Sequence, residues 1–305
     1  MRMSTRSWVG GREQTAAPEQ RAPQRGCTAA GVRSISVSSQ HRSIGTLIDT
    51  LRERLARLES VVVAYSGGVD SALLAHQASD VLGRRALAVT ASSPSLPPAE
   101  LESCEATAGA WGLRWRAVRT DEMDRPAYVA NGADRCWHCK SALMDQLLPI
   151  AEVEGATVVL GVNLDDLGDH RPGRQAAADR GALFPLVDAG FSKADVRRCA
   201  RHLGLEVWDK PAAACLASRL PYGTPVTLRT LDRVGRAEAA MRALGFRQVR
   251  VRHYGDTARV EVDTADLARA VEAREAVVPA VRSAGYRYVT LDLEGFRSGN
   301  LNPPR

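Results

Sequence analysis

The chain has 305 residues, 45% of them hydrophobic, and a formal charge of +6. That length allows a full core and two domains, and no apolar run approaches the ~20 residues a membrane span needs. Residues 1–42 hold seven Arg against Glu13 and Glu19, so the remainder is close to neutral and presents no basic footprint for nucleic acid.

Residues 1–42 show no hydrophobic periodicity and are read as a disordered N-terminal extension, or as the product of a start codon set too far upstream. They contain no apolar segment with a small-residue cleavage site, which argues against secretion; their Arg- and Ser-rich composition also mimics an organellar transit peptide. From Ser43, Ile44, Leu47, Ile48, Leu51, Leu55 and Leu58 recur at helical spacing. Val61 to Ala64 then reads as a buried parallel strand. Ser66-Gly67-Gly68 is a turn, and a helix follows from Val69 to about Val81. Ala86–Ala91 is a second strand, Ser92–Pro98 a loop with strong breakers, Ala99–Gly112 a helix and Leu113–Val118 a third strand. Arg135–Ile150 is mainly helical, Ala156–Gly161 a strand and Lys193–Leu203 a helix. This alternation predicts an α/β doubly wound parallel sheet over residues 43–220, with ligands at the strand C-termini.

After Pro221 the pattern changes. Leu228–Leu244 reads as one helix, and Gln248–Tyr254 and Ala258–Val262 alternate at period two around a Gly-Asp turn. A helix over Leu267–Ser283 and a strand over Arg287–Leu293 complete a smaller α+β domain, 221–305. No internal repeat is evident. Six cysteines in so long a chain do not form a disulfide framework; reduced thiols and a cytoplasmic location are expected.

The turn after the first strand is built for an anion. Gly67 and Gly68 let the backbone approach a bound group, and the helix N-terminus supplies unpaired N–H groups and a partial positive charge. Ser66 and Ser71 add hydroxyls. It is not a Walker A loop, because no Lys lies between Val61 and His76. Asp70 suits a divalent ion or the orientation of a triphosphate. Asn163, Asp165, Asp166 and Asp169 follow the fourth strand at its C-terminal end; a solvated acidic turn is the competing reading for Asp165 and Asp166. Arg171 and Arg174 nearby suit a phosphate or carboxylate. Cys215 lies between Pro211 and Pro221 among small residues. Arg219, four residues on, is placed to favour the thiolate; the alternative is a thiol buried as a small hydrophobe. Cys136 and Cys139 with His138 between them fit a metal or cluster site, a redox pair or a helix cap. Arg250, Arg252 and Arg259 alternate on strands and are expected on one face beside Glu261 and His253, as an anion site or a solvated edge.

The string Ser66-Gly67-Gly68-Val69-Asp70-Ser71 resembles the loop of the ATP pyrophosphatase (PP-loop) superfamily. Four further stretches extend the likeness: 134–140, 161–173, 208–223, and 250–253 with 258–261. Together, over about Ser43 to Asn302, they resemble the LarE family of ATP-dependent sulfur transferases. The resemblance implies ATP and Mg²⁺ as cofactors, with Ser66, Gly67, Gly68, Asp70, Ser71, Asn163 and Asp166 binding ATP. It implies adenylation of the carboxylates of pyridinium-3,5-biscarboxylic acid mononucleotide, held by Arg171, Arg250, Arg252 and Arg259. Cys215, with Arg219 and Asp70, would be catalytic: its sulfur is given up as a thiocarboxylate and the residue is left as dehydroalanine. Asp70 and Glu238 would each bind metal, Glu238 by the resemblance alone, since by itself it reads as an ordinary helix-face Glu. A rival within the superfamily places a [4Fe-4S] cluster on Cys136, Cys139 and Cys215. The family also implies a homo-oligomer and hand-off to a nickel-insertion enzyme. A tRNA thiolase would need a basic face, and an amide-forming ligase would not need the loop cysteine.

Overall fold

The computed structural model describes residues 42–167, 172–211 and 215–297. The expectations for the N-terminal extension, Asp169 and Arg171 lie outside them. The first helix, α1 (Ile44–Ala56), starts at Ser43, whose hydroxyl caps the Thr46 amide, and buries Leu47, Leu51 and Leu55 at a spacing of four. Next come β1 (Val61–Ala64), α2 (Val69–Leu82), β2 (Ala86–Ser92), α3 (Pro98–Ala110), β3 (Trp115–Arg119) and the single turn α4 (Pro126–Val129). They are followed by α5 (Arg135–Val153), β4 (Thr157–Leu160), α6 (Pro172–Ala178), α7 (Pro185–Asp188) and α8 (Lys193–His202).

The four strands form a parallel sheet in the order β3-β2-β1-β4. Alternate residues of β1 serve opposite layers. Val61 and Val63 pack with α1, α2 and α8, whereas Val62 packs with Met144 and Leu147 of α5. The sheet is thus covered on both faces, as the unbroken apolar run in β1 requires. Because β2 and β4 flank β1 on opposite sides, the chain reverses its winding direction between β1 and β4. The crevice beyond their C-terminal ends is the topological switch point.

The remaining elements are α9 (Leu228–Ala243), β5 (Val249–Tyr254), β6 (Thr257–Val262), α10 (Leu267–Glu272), α11 (Arg274–Arg282) and β7 (Tyr288–Leu291). The hairpin β5–β6 turns at Gly255, where φ is +61°, and β7 adds parallel to β6. Val249, Val251, Ala258, Val260 and Val262 face Met241 of α9 and Val277 and Val281 of α11. The single helix expected over 267–283 is two helices. Ala273, with ψ at 13°, closes one and opens the other, and Pro279 within the second removes one backbone donor. Among the described residues, no helix is long and apolar enough to cross a membrane.

Candidate active site

At the switch point, Tyr65 continues the sheet by donating its N–H to Val89 at 2.9 Å. The chain then turns through Gly67, with φ at +69°. A Cβ there would stand 2.6 Å from the Cys104 sulfur, so only glycine fits. Ser71 Oγ stitches the turn: it accepts from Ser66 N at 3.1 Å and donates to Gly68 O at 3.0 Å. Gly68 caps α2 without a side chain, which leaves the first amides of the helix for a ligand. Gly161, just beyond β4, lies so close that a Cβ would sit 2.6 Å from Ser71 N. Two glycines thus let the strand end, the turn and the helix N-terminus converge.

Asp70 leads into this crevice. Its Oδ1 accepts from Asn163 Nδ2 at 2.9 Å, and its Oδ2 pairs with the Lys193 ammonium. Asn163 is buried, and its Oδ1 accepts from the Asp165 amide at 3.0 Å. The carboxylates that follow are structural partners of this loop. Asp166 Oδ2 accepts from Asn163 N at 3.1 Å, and Asp165 Oδ2 accepts from Lys193 N at 2.6 Å. Asp165, although exposed, thus accepts the first amide of α8. Sequence reasoning missed Lys193, which stands at the first position of a capped helix some 120 residues away and carries no local signal. The carboxylate of Asp70 and the hydroxyls of Ser66 and Ser71 are hard oxygen donors of the kind Mg²⁺ takes alongside phosphate oxygens. One carboxylate suffices for such a site.

Cys215 opens a 3₁₀ turn, Leu216–Arg219, whose carbonyls are held by three arginines. Arg219 Nη1 donates to Cys215 O at 3.2 Å, Arg135 Nη1 to Ala217 O at 2.9 Å and Arg252 Nη1 to Ser218 O at 3.0 Å. On the other side, Leu216 N donates to Ser95 O at 2.8 Å. The half-buried, unbridged Cys215 packs against the apolar group that includes Tyr128, as does Cys139. Arg219 was expected to hold the thiolate. It is instead 1% exposed, bidentate to Glu238 at 2.7 and 3.0 Å, and bonded to the loop backbone. A spacing of four residues in a tight turn directs the guanidinium to its own carbonyls. Cys215 also acts on the buried Arg135: burial pushes the Arg135 pKa down, but Cys215, Cys136 and Tyr128 outweigh this and raise it.

Cys136 and Cys139 occupy the first turn of α5, at an i, i+3 spacing that puts them on one face. Burial pushes the Cys139 thiol up to about 12, with Cys215 adding to the rise. Among the described residues, no three His, Cys, Asp or Glu side chains are gathered closely enough to hold a metal ion. As placed, Cys136, Cys139 and Cys215 are neighbours without forming a ligand set. Arg174 of α6 keeps its Nη1 buried with no hydrogen-bond partner among the described residues.

The register pairs Arg250 with Glu261 and Arg252 with Arg259, so the three arginines do share a face. His253 does not; it falls on the opposite face, as period two requires, and contacts Tyr286 Oη at 3.1 Å. The arginine face is packed and not a solvated edge. Arg252 and Arg259 both bond Glu261, at 2.7 and 3.0 Å. Glu238, expected as a metal ligand, is fully buried, and its carboxylate is taken up by Arg219, Arg242 and the Val251 amide. Around this face, among the described residues, Arg219, Arg242, Arg250, Arg252 and Arg259 meet Glu238, Glu261 and Asp292. Burial and then the Arg219 charge push the Arg250 pKa down to about 10. The Arg250 guanidinium lies 5.1 Å from the Phe296 ring centre, and Phe296 with Arg197, Asp209, Arg247 and Gln248 lines a cleft of about 420 Å³.

No family model matches the chain. It is 48% identical over 258 residues to an uncharacterized protein of Synechocystis sp., covering 84% of this chain and 96% of the relative. It is 38% identical over 262 residues to the pyridinium-3,5-bisthiocarboxylic acid mononucleotide synthase of Lactiplantibacillus plantarum, covering 85% of this chain and 95% of that enzyme. An uncharacterized protein of Methanocaldococcus jannaschii is 26% identical over 253 residues, 83% of this chain and 96% of the relative.

Proposed function

The chain belongs to the LarE family, and from that premise we propose that it places sulfur on the carboxylates of pyridinium-3,5-biscarboxylic acid mononucleotide at the expense of ATP, one sulfur and one ATP per chain, so that two chains acting in turn yield the bisthiocarboxylic acid. A substrate carboxylate oxygen attacks the α phosphorus of ATP, and pyrophosphate leaves with the electron pair of the broken bond. The Cys215 thiolate then attacks the acyl adenylate and AMP departs. Loss of the Cys215 α proton breaks its Cβ–S bond, so sulfur stays with the product and residue 215 becomes dehydroalanine.

The observation that carries this reading is the clamp on the Cys215 loop. Three buried or half-buried arginines fix its carbonyls, which holds a nucleophile in one orientation. The guanidiniums of Arg250, Arg252 and Arg259, gathered on one face of the neighbouring hairpin, are of the kind that suits a substrate bearing a phosphate and two carboxylates. Bound with ATP at Asp70, Mg²⁺ would neutralise phosphate charge.

Intact-mass measurement before and after turnover tests the sulfur source. A chain that loses the elements of H₂S at Cys215, and a Cys215→Ala variant that produces nothing, support the proposal. Product formed without mass loss overturns it. The electrostatic coupling of Cys139 to Cys215 motivates a second reading, a cluster on Cys136, Cys139 and Cys215, for which the three thiols would have to draw together from where they stand. Anaerobic purification with an iron assay separates the two, since about four irons per chain would establish the cluster.

A further inference from the structure

A buried carboxylate oxygen without a hydrogen-bond donor lies near the reacting cysteine. Glu122 opens the 3₁₀ turn Glu122–Asp124, just beyond the C-terminal end of β3. The four strands are parallel, so this turn stands on the same edge of the sheet as the nucleotide crevice. Glu122 is 2% exposed, and its Oε2 is buried with no hydrogen-bond partner among the described residues. Arg125, the cation three residues on, is taken by Asp121 and Asp145. A carboxylate oxygen buried in this way costs stability, and packing alone gives no reason to keep it.

Its neighbours are those of Cys215. Met123, the next residue, packs on the apolar group around Tyr128 that Cys139 and Cys215 also join. Burial first, then the charges of Cys215, Cys139 and Glu122, hold the Tyr128 hydroxyl far above its usual range, so it keeps its proton. The Cys139 thiol, pushed up by burial to about 12, keeps its own. Arg135 and Arg219 have no lone pair to accept one, and the hydroxyls of Ser95 and Ser218 are engaged by Tyr128 and Arg219. Among these groups the proton acceptor is Glu122. The loop is also prepared for loss of a proton from carbon. The buried Arg219 donates from Nη1 to Cys215 O at 3.2 Å. Charge left on the Cys215 α carbon spreads to that oxygen, where a cationic donor already stands.

We propose that Glu122 is the base that removes the Cys215 α proton once the sulfur has been acylated. This rests on the reading of Cys215 as sulfur donor above. The Cα–H bond gives its proton to the Glu122 carboxylate, and its electron pair moves toward the carbonyl held by Arg219. That pair then forms the Cα–Cβ double bond as the Cβ–S bond breaks. Sulfur leaves with the electrons of the broken bond as a thiocarboxylate, a far weaker base than hydrosulfide, so elimination follows acylation. No oxidant or reductant is consumed.

The test mixes full chains of wild type, Glu122→Gln and Glu122→Asp with ATP, Mg²⁺ and pyridinium-3,5-biscarboxylic acid mononucleotide. Samples are quenched in acid, weighed as intact chains and assayed for AMP. Wild type is expected to lose the elements of H₂S. The isosteric Gln variant should release AMP and hold the acylated chain at increased mass, forming dehydroalanine about a hundredfold more slowly or worse. The Asp variant keeps a carboxylate on a shorter stem and should recover part of that rate. Dehydroalanine formed by the Gln variant at the wild-type rate would overturn the proposal. So would a Gln variant that releases no AMP, because Glu122 would then act before acylation or in folding. Product formed by wild type without mass loss would remove the sulfur-donor reading itself, and with it the step that Glu122 serves.

Discussion

Glu238 has no solvent contact, yet it neutralises the guanidiniums of Arg219 and Arg242 and accepts the Val251 amide. Replacing it with Ala would take from the buried Arg219 the carboxylate that binds it through two nitrogens. The expected cost is about 3–5 kcal/mol, read as a lower urea midpoint at unchanged slope; a change near zero would mean the pair is relieved by water. The same residue sets a pH dependence. Burial alone would push its carboxyl up, but Arg219, with Arg250 and Arg242, outweighs burial and holds it below its usual value of 4.5. The unfolded chain therefore takes up the proton first on acidification. The stabilisation is fully present above about pH 4.5 and is lost as the pH falls below that value. Glu238→Gln should flatten that part of the stability–pH curve, and a parallel curve would refute the assignment. None of this was legible in the sequence: a glutamate amid small helix residues has no local mark of its partners, which come from a turn 19 residues upstream and a strand 13 residues downstream.

At the scale of elements, Gly161 governs how closely β4 approaches α2. An alanine Cβ would press on backbone, 2.6 Å from Ser71 N and 2.8 Å from the Asp70 carbonyl carbon, and backbone cannot rotate away as a side chain can. Gly161→Ala should displace the start of α2 and weaken ATP binding about tenfold or more, with about 1–3 kcal/mol of stability lost to overpacking. Calorimetric titration with ATP and a thermal melt check both, and an unaltered ATP affinity would show that the turn yields. Elements of this part of the fold were readable because their causes are local. An apolar run, a Ser-Gly-Gly turn and an amphipathic stretch each bear their own signature, and period two correctly placed Arg250, Arg252 and Arg259 on one face. The same arithmetic puts His253 on the other face, where it belongs with Tyr286. What stayed hidden were contacts between elements: Arg135 reaching Ala217, Asp165 reaching Lys193, and Arg219 pairing with Glu238. Each depends on packing that no window of sequence contains.

Over the whole molecule, the two sheets meet through more than a linker. Leu216, Ala217, Leu220 and Val226 of the connecting segment form one apolar group with Tyr128 on one side and Leu231 and Val234 of α9 on the other. The Arg219–Glu238 pair and the Arg252–Ser218 bond cross the same junction. A boundary drawn near residue 220 on the change in strand pattern thus runs through a core, and a core shared by two parts couples their unfolding. All five tryptophans precede residue 221, so tryptophan fluorescence reports on the nucleotide-binding part, while far-UV circular dichroism reports on helices of both. The two urea curves should coincide. Arg252→Ala, which frees the Ser218 carbonyl and removes one guanidinium from Glu261, should pull them apart, with the fluorescence-silent hairpin part melting first. Separate transitions in the wild type would show that the Cys215 loop is held by one part alone, and the three-arginine clamp would then not be the device that fixes the nucleophile.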